Sequence, residues 1–336
     1  MIDASDRRVV GVGSAIVDVF CEVPDQLIED LGLSKGTMAL VDRETSQEVQ
    51  SHLTMTKEQG GGSVANTRVG LAKLGVPSEL VARAEDDIFG LVFDSELRSL
   101  GISTRGLVPH GDLGSGTGRC LVLVSEDAQR TMLTYLGASA EIGNQEMKGL
   151  LDSIPAISYV EGYLLDCPAM FDNLMALAVS ALEMDKKVIL SLSDPNLVER
   201  HHSKIMRLLR SGVSTVIGNQ DEATRLSGIY DPRESAKWLA DLGVDGSITL
   251  GPQGALSFED DEVVEIPSLA EAVVDTTGAG DQYAAGFIAG KYFGLELEAS
   301  TRLGLLCAKE VVSHFGARPE TDLGPIVRDL VDIHLR

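Results

Sequence analysis

Apolar positions along the chain follow two rhythms. Short continuous apolar runs bounded by turn residues predict buried strands, and stretches with apolar residues three and four apart predict helices. Val9–Gly13 and Ile16–Phe20 predict the first two strands. Leu27–Val49 is mixed and turn-rich. Past Gly60-Gly61-Gly62-Ser63, a helical pattern runs from Val64 to Leu74 and ends at Gly75, where glycine suits the turn that closes a helix. Leu80–Ala82 predicts a short buried strand, and Phe89–Leu100 a second amphipathic helix stopped by Gly101.

Between Leu107 and Tyr135 the period shortens. Arg119–Ser125 and Arg130–Tyr135 predict two strands joined by a turn at Glu126-Asp127-Ala128. From Ile157 onward strand and helix alternate: strand Ile157–Val160, helix Ala169–Met184, strand Lys187–Leu192, a helix near Ile205–Leu209 and strand Thr215–Ile217. Helix Ser235–Leu242 and strand Ser247–Leu250 follow, and Leu256–Phe258 and Val263–Ile266 pair around the acidic turn Glu259–Glu262. An apolar run ending at Val273-Val274 predicts one more buried strand, and Tyr283–Tyr292, Ala299–Phe315 and Pro325–Leu335 predict the closing helices. Such alternation implies an α/β fold with a mostly parallel sheet covered on both faces. The β-rich stretches near 14–43 and 107–137 interrupt it and are expected to form one small sheet beside a single main domain spanning 1–336. The chain shows no repeat and no low-complexity linker.

Charge and cysteine usage narrow the class. The formal charge of -23 argues against a nucleic-acid or anionic-membrane partner, either of which needs a basic face. A phosphate site therefore has to be built locally, from amides, a cation and a few basic side chains. Cys21, Cys120, Cys167 and Cys307 form no C-x-x-C pair, which suits a reducing cytosol rather than a disulfide framework or a zinc site. Met1–Arg8 is polar, unlike a signal peptide, and no apolar run approaches the ~20 residues that span a bilayer. A soluble cytoplasmic protein is expected.

The candidate chemistry centres on Asp275-Thr276-Thr277-Gly278-Ala279-Gly280-Asp281. Small residues at a strand-to-helix turn leave amides free to bind an anion, and Asp281 would stand beside it as a proton acceptor. Helix capping by acids explains the same residues. Gly60–Thr67 places close-approach backbone ahead of Asn66, whose amide can both donate to and accept from a hydroxyl. Asp18 alternates with apolar neighbours, facing either solvent or polyol hydroxyls. Asn219-Gln220-Asp221-Glu222 follows an apolar strand, where open α/β sheets bind ligands, though a helix cap is equally consistent. Thr249-Leu250-Gly251-Pro252-Gln253-Gly254 reads as a hairpin or as a nucleotide shelf. Gly114–Arg119 lacks a P-loop lysine, Ile16 breaks the dinucleotide fingerprint begun by Gly11-Val12-Gly13, and the adjacent His201-His202 read as surface residues.

In this order the motifs resemble the PfkB-type carbohydrate kinases, the ribokinase-like family, over nearly the whole chain. Gly61–Thr67, Arg130–Gly137, Ser193-Asp194-Pro195 with Val198-Glu199-Arg200, and His314–Pro319 look most like its adenosine kinase branch. The resemblance implies a three-layer αβα domain with a small β lid, drawn from roughly 14–43 and 107–137. It implies transfer of the γ-phosphoryl of ATP to a sugar hydroxymethyl. Asp281 would be the base, the Gly278, Ala279 and Gly280 amides the anion hole, and Arg130 a lid arginine reaching the phosphate, its alternative being a turn charge at the surface. Asp18, Gly61, Gly62 and Asn66 match substrate contacts. Asn219, Thr249, Gly251, Gly254 and His314 match nucleotide contacts. Glu222 matches the acid that organises Mg²⁺ through water, and Asp275 and Thr277 match a monovalent-cation (K⁺) site used by some members. Either a monomer or a lid-paired homodimer is expected. Val64-Ala65 before Asn66 argues against free ribose, and Gln282 has no assignable role. Phe20, Tyr135, Tyr163 and Phe171 read equally as pocket or core. Adenosine or a related nucleoside leads as substrate; a free sugar such as ribose, fructose or a keto-deoxy sugar acid is the alternative, and a non-catalytic sensor the third.

Overall fold

The computed structural model describes residues 8–107, 114–127 and 129–334. The turn residue Ala128, segment 108–113 of the expected β region and Leu335 lie outside them. Fourteen strands are present among the described residues: β1 Val9–Val12, β2 Ile16–Glu22, β3 Met38–Leu40, β4 Lys57–Gly61, β5 Ser78–Ala84, β6 Ser103–Leu107, β7 Gly118–Val124 and β8 Arg130–Tyr135, followed by β9 Ile157–Glu161, β10 Lys187–Ser191, β11 Thr215–Asn219, β12 Asp245–Thr249, β13 Ala255–Glu259 and β14 Glu262–Ile266.

Nine of them form the main sheet in the order β14-β13-β12-β11-β10-β9-β1-β5-β6. The seven strands from β6 across to β12 run parallel; β13 and β14 are antiparallel at one edge. Alternate residues go to opposite faces, as the pleat requires. Val9, Leu80, Tyr159 and Ile189 pack under helices Ser63–Lys73, Ala279–Phe293 and Leu297–Val311. Val10, Val81, Val160 and Leu190 pack under Asn144–Asp152, Met170–Glu183 and Pro195–Ser211. Because both faces are covered, these strands read as unbroken apolar runs. The result is an αβα sandwich with a second, smaller sheet.

That second sheet has the order β3-β8-β7-β2-β4. Val17, Val19, Cys21, Leu121, Leu123 and Leu133 turn one face into the main core. Ile16, Cys120 and Val122 share the other face with Asp18. The first crossing into this sheet is Gly13–Ala15, and the second, leaving it, is Gly62–Ser63.

Several expectations are corrected. Val273 and Val274 belong to no strand and are 61% and 48% exposed; Val273 walls an open cavity. The stretch Leu27–Val49 holds helix Arg43–Ser51, capped by the Asp42 carboxylate accepting from the Thr45 amide. The glycine run at 60–62 includes the end of β4, a strand too polar to announce itself by alternation. The helix near 205–209 starts ten residues earlier, at Pro195, and is interrupted at His201. His201 is not a surface residue: its Nε2 lies 2.6 Å from Asp166 Oδ1 and its side chain is largely covered.

Candidate active site

The carboxyl ends of β1, β9, β11 and β12 meet the start of helix Ala279–Phe293, the end of the sheet at which open α/β folds place ligands. Gly278 caps this helix with φ 75°, and a Cβ there would stand 2.5 Å from the Ala317 backbone. Gly280 differs: a Cβ would meet open space, so no protein neighbour demands glycine at that position. The Ala279 amide donates to Thr276 O at 3.2 Å, leaving the anion-binding capacity of the turn to the other amides of its first residues.

Asp281 lies in the first turn, facing inward. Its Oδ1 accepts from Ser63 Oγ at 2.6 Å and its Oδ2 from Asn66 Nδ2 at 3.0 Å. Burial pushes its carboxyl up to about 6, and these two bonds and the Arg318 guanidinium hold it down against that pull. Asp18 is pushed up to about 7 by burial, opposed by Arg318 and Arg130. A side chain at Gly61 would collide with the Asp18 carboxylate at 2.5 Å, and one at Gly62 with the Ser14 carbonyl, so both glycines serve close packing around these acids.

Arg318, 6% exposed, organises the group: its Nε donates to Asn66 Oδ1 at 3.1 Å and its Nη1 pairs with Glu96 at 2.6 Å. Arg130, on β8 of the small sheet, reaches the main domain. It pairs with Asp275 Oδ2 at 2.6 Å and donates to Thr277 Oγ1 at 2.8 Å, between the rings of Phe20 and Phe315. Arg130 thus occupies the two residues matched to a monovalent cation, and it is no loose surface charge.

On the other side of Gly280 lies a cavity of about 540 Å³. Thr249, Gly251, Gly254, Ala279 and Gly280 line it at one end, with Val273, Leu305, Ala308 and Val312 as apolar walls. Asn219 and Glu222 sit at the end of β11 as a reciprocal helix cap, in which the Glu222 carboxylate accepts from the Asn219 amide at 2.9 Å and from its Nδ2 at 2.8 Å. Burial raises Glu222 to about 7. Among the described residues no three His, Cys, Asp or Glu cluster to hold a metal. A lone carboxylate suits Mg²⁺, which relies on one or two acids plus phosphates and water. His314 is absent from the cavity wall; its ring faces Glu310 and the Phe315 carbonyl.

A second cavity of about 450 Å³ opens beside Ser14, whose carbonyl abuts Gly62. Met38, Leu40, Leu136, Tyr163 and Cys167 give it apolar walls, and Asp166, Asp194, Asn196 and Arg200 a polar end. Of the four aromatic residues weighed from sequence, only Tyr163 lines it.

Four residues of this site escaped the sequence reading. Arg318 was visible as a lone basic residue in Gly316-Ala317-Arg318-Pro319, but nothing local ties it to Asn66. Ser63 opens a helix, a position serine fills for capping alone. Glu161 ends an apolar strand and is 1% exposed; its oxygens accept from the Ser14 and Val64 amides at 2.8 and 3.1 Å, and burial raises it to about 7. Gln282 is fully buried, with Nε2 donating to the carbonyls of Asn66 and Ala317, both at 3.0 Å. Gln282→Ala removes both bonds and is expected to cost about 1–3 kcal/mol, read as a lower melting temperature.

Known proteins place this architecture. Residues 31–322 match the model of the pfkB family carbohydrate kinases. The fold superposes on a probable sugar kinase of Rhizobium etli with a TM-score of 0.86 and 32% identity, covering 96% of this chain and 98% of that one. It superposes equally on the adenosine kinase of Sinorhizobium meliloti, at 0.86 and 33% identity, over 96% and 99% of the two chains. The ATP-dependent 6-phosphofructokinase of Thermoanaerobacterium thermosaccharolyticum is 28% identical over 270 residues, 78% of this chain and 81% of its own. The chain belongs to the pfkB carbohydrate kinase family and is a phosphotransferase acting on a sugar or nucleoside. No helix among the described residues is long and apolar enough to cross a membrane.

Proposed function

We propose that the chain transfers the γ-phosphoryl of ATP to the hydroxymethyl group of a nucleoside, adenosine or a close relative. The observation that carries this reading is the 450 Å³ cavity beside Ser14, the residue whose carbonyl abuts Gly62. A free sugar held by Asp18, Asn66 and Asp281 would leave it empty, whereas Leu40, Leu136 and Tyr163 suit a flat heteroaromatic base. Likeness to the Sinorhizobium meliloti adenosine kinase supports the same assignment.

The sugar hydroxyls lie among Asp18, Gly62 and Asn66, with the reacting hydroxyl at Asp281. Asp281 takes its proton as the new O–P bond forms and the bond to ADP breaks. ATP lies in the 540 Å³ cavity, its adenine between the apolar walls and its phosphates at Gly280. Amides at the helix start stabilise charge on the moving group, the main contribution a protein makes to phosphoryl transfer. Glu222 would help hold Mg²⁺ through water, and the ion would supply further charge neutralisation. Arg130 swings from Asp275 toward the phosphate when the small sheet closes, and a K⁺ ion at Asp275 and Thr277 would take its place there.

Mg-ATP turnover, followed as ADP release with adenosine, inosine, cytidine, ribose, fructose and 2-keto-3-deoxygluconate, tests the assignment. Strong turnover on a nucleoside supports it. Turnover on a free sugar alone rejects the nucleoside and, if the sugar is acidic, makes Arg200 the group to examine. Asn66→Ala and Asp18→Ala are each expected to raise the acceptor KM about 10- to 100-fold while the ATP KM moves less than about threefold. Equal weakening of both substrates would make these residues supports of the fold.

A further inference from the structure

Glu161 ends the central strand β9, and its two carboxylate oxygens are divided between two separate stretches of chain. Oε1 accepts from the Ser14 amide, in the first crossing into the small sheet. Oε2 accepts from the Val64 amide, just past the second crossing, where β4 returns to the main domain. A Cβ at Gly13 would stand 2.8 Å from Oε2, so the first crossing is also packed against this carboxylate. The next residue back from Val64 is Ser63, which donates to Asp281. The first crossing is held a second time, by Ser139, whose hydroxyl accepts from the Ala15 amide at 3.0 Å and donates to the Ala15 carbonyl at 2.9 Å. Ser139 itself follows β8, where the chain leaves the small sheet for good.

We propose that Glu161 is a positioning residue: by gripping both crossings with one side chain, it makes the small sheet and the Ser63–Asn66 helix start move as a unit. Closure of the small sheet then arrives together with the correct placement of Ser63 and Asn66 around Asp281. A single carboxylate does this because it offers two acceptors on one rigid plane. The consequence is coupling: ATP is cleaved when the acceptor is seated and water is shut out. The inference rests on the kinase reading above, but not on which acceptor is used.

Glu161→Gln is the test. It keeps size and shape but replaces one acceptor by an amide N–H₂, which faces an amide N–H and cannot accept from it. The first readout is the ratio of ADP released to phosphorylated acceptor, measured well below the melting temperature. It is expected to rise about fivefold or more, with acceptor KM raised and ATP KM unchanged. The second readout needs no acceptor: amide exchange in residues 14–22 and 57–64 should accelerate together. Should Glu161→Gln fail to fold, Ser139→Ala loosens the first crossing through Ala15, and the same uncoupling is expected to a smaller degree. A folded Glu161→Gln protein with the parent ratio of ADP to product overturns the proposal, even if acceptor KM rises. That outcome would mean the carboxylate touches the acceptor or merely supports the fold. If the acceptor panel stays silent while exchange accelerates in both segments together, the substrate assignment fails and the mechanical coupling stands.

Discussion

Asp281→Asn is expected to lower kcat by about 10²–10⁴-fold while leaving acceptor and ATP binding close to the parent values. An asparagine can turn its amide oxygen toward Asn66 Nδ2 and its amide nitrogen toward Ser63 Oγ, which accepts as readily as it donates. The local bonds therefore survive, and what is lost is the ability to take a proton. Stopped assays for product, with titration calorimetry for each ligand, separate the two effects. Turnover within about tenfold of the parent would remove Asp281 as the base. In the parent enzyme the same role fixes a pH dependence. The base must be ionised, and its carboxyl lies at about 6, so turnover falls as pH drops through that value.

Arg318→Met has the second large expected effect. The guanidinium lowers the carboxyls of both Asp281 and Asp18 against the opposing pull of burial. Without it both rise further, so the ascending limb of the pH–rate profile moves to higher pH. Removing Arg318 also costs about 1–3 kcal/mol, because buried Asn66 Oδ1 loses its donor and the partly exposed Glu96 its cation. Arg318→Lys keeps the charge but cannot bond Asn66 and Glu96 from one planar fork. It should restore the pH limb better than the stability. A pH profile unchanged in Arg318→Met would show that the guanidinium is structural alone.

Why the sequence exposed some of this and not the rest follows from range. The main sheet was legible because its strands are covered on both faces and so are apolar throughout, as in Ile157–Val160 and Lys187–Leu192. Asp281, Asn66 and Asp18, marked out from three distant segments, do stand together, because each is an isolated polar group beside glycines or within an apolar strand. The small sheet was harder. Its β4 strand, Lys57-Glu58-Gln59-Gly60-Gly61, has no alternating pattern, since pairing with β2 rather than burial holds it extended. Val273 and Val274 misled for the opposite reason: they are exposed apolar residues, Val273 lining the 540 Å³ cavity, and such residues look like a strand core. Arg318 and Glu161 were silent because their partners, Asn66 and Ser14 among them, are far away in the chain. His314 resembled a nucleotide contact, but Glu310, one helical turn back, holds its ring instead.

The position of β1 inside the main sheet, between β9 and β5, bears on how the protein is made. Val9–Val12 leaves the ribosome well before its neighbour β9, which is synthesised roughly 150 residues later. At about 5–20 residues per second, that is a wait of roughly 7–30 s with an apolar strand edge unpaired. Pairing with β5 shortens the exposure on one side only. Nascent chains arrested before Glu161 should therefore be sticky and dependent on holdase chaperones, and fragments ending there should be recovered as aggregates even though they contain all five strands of the small sheet.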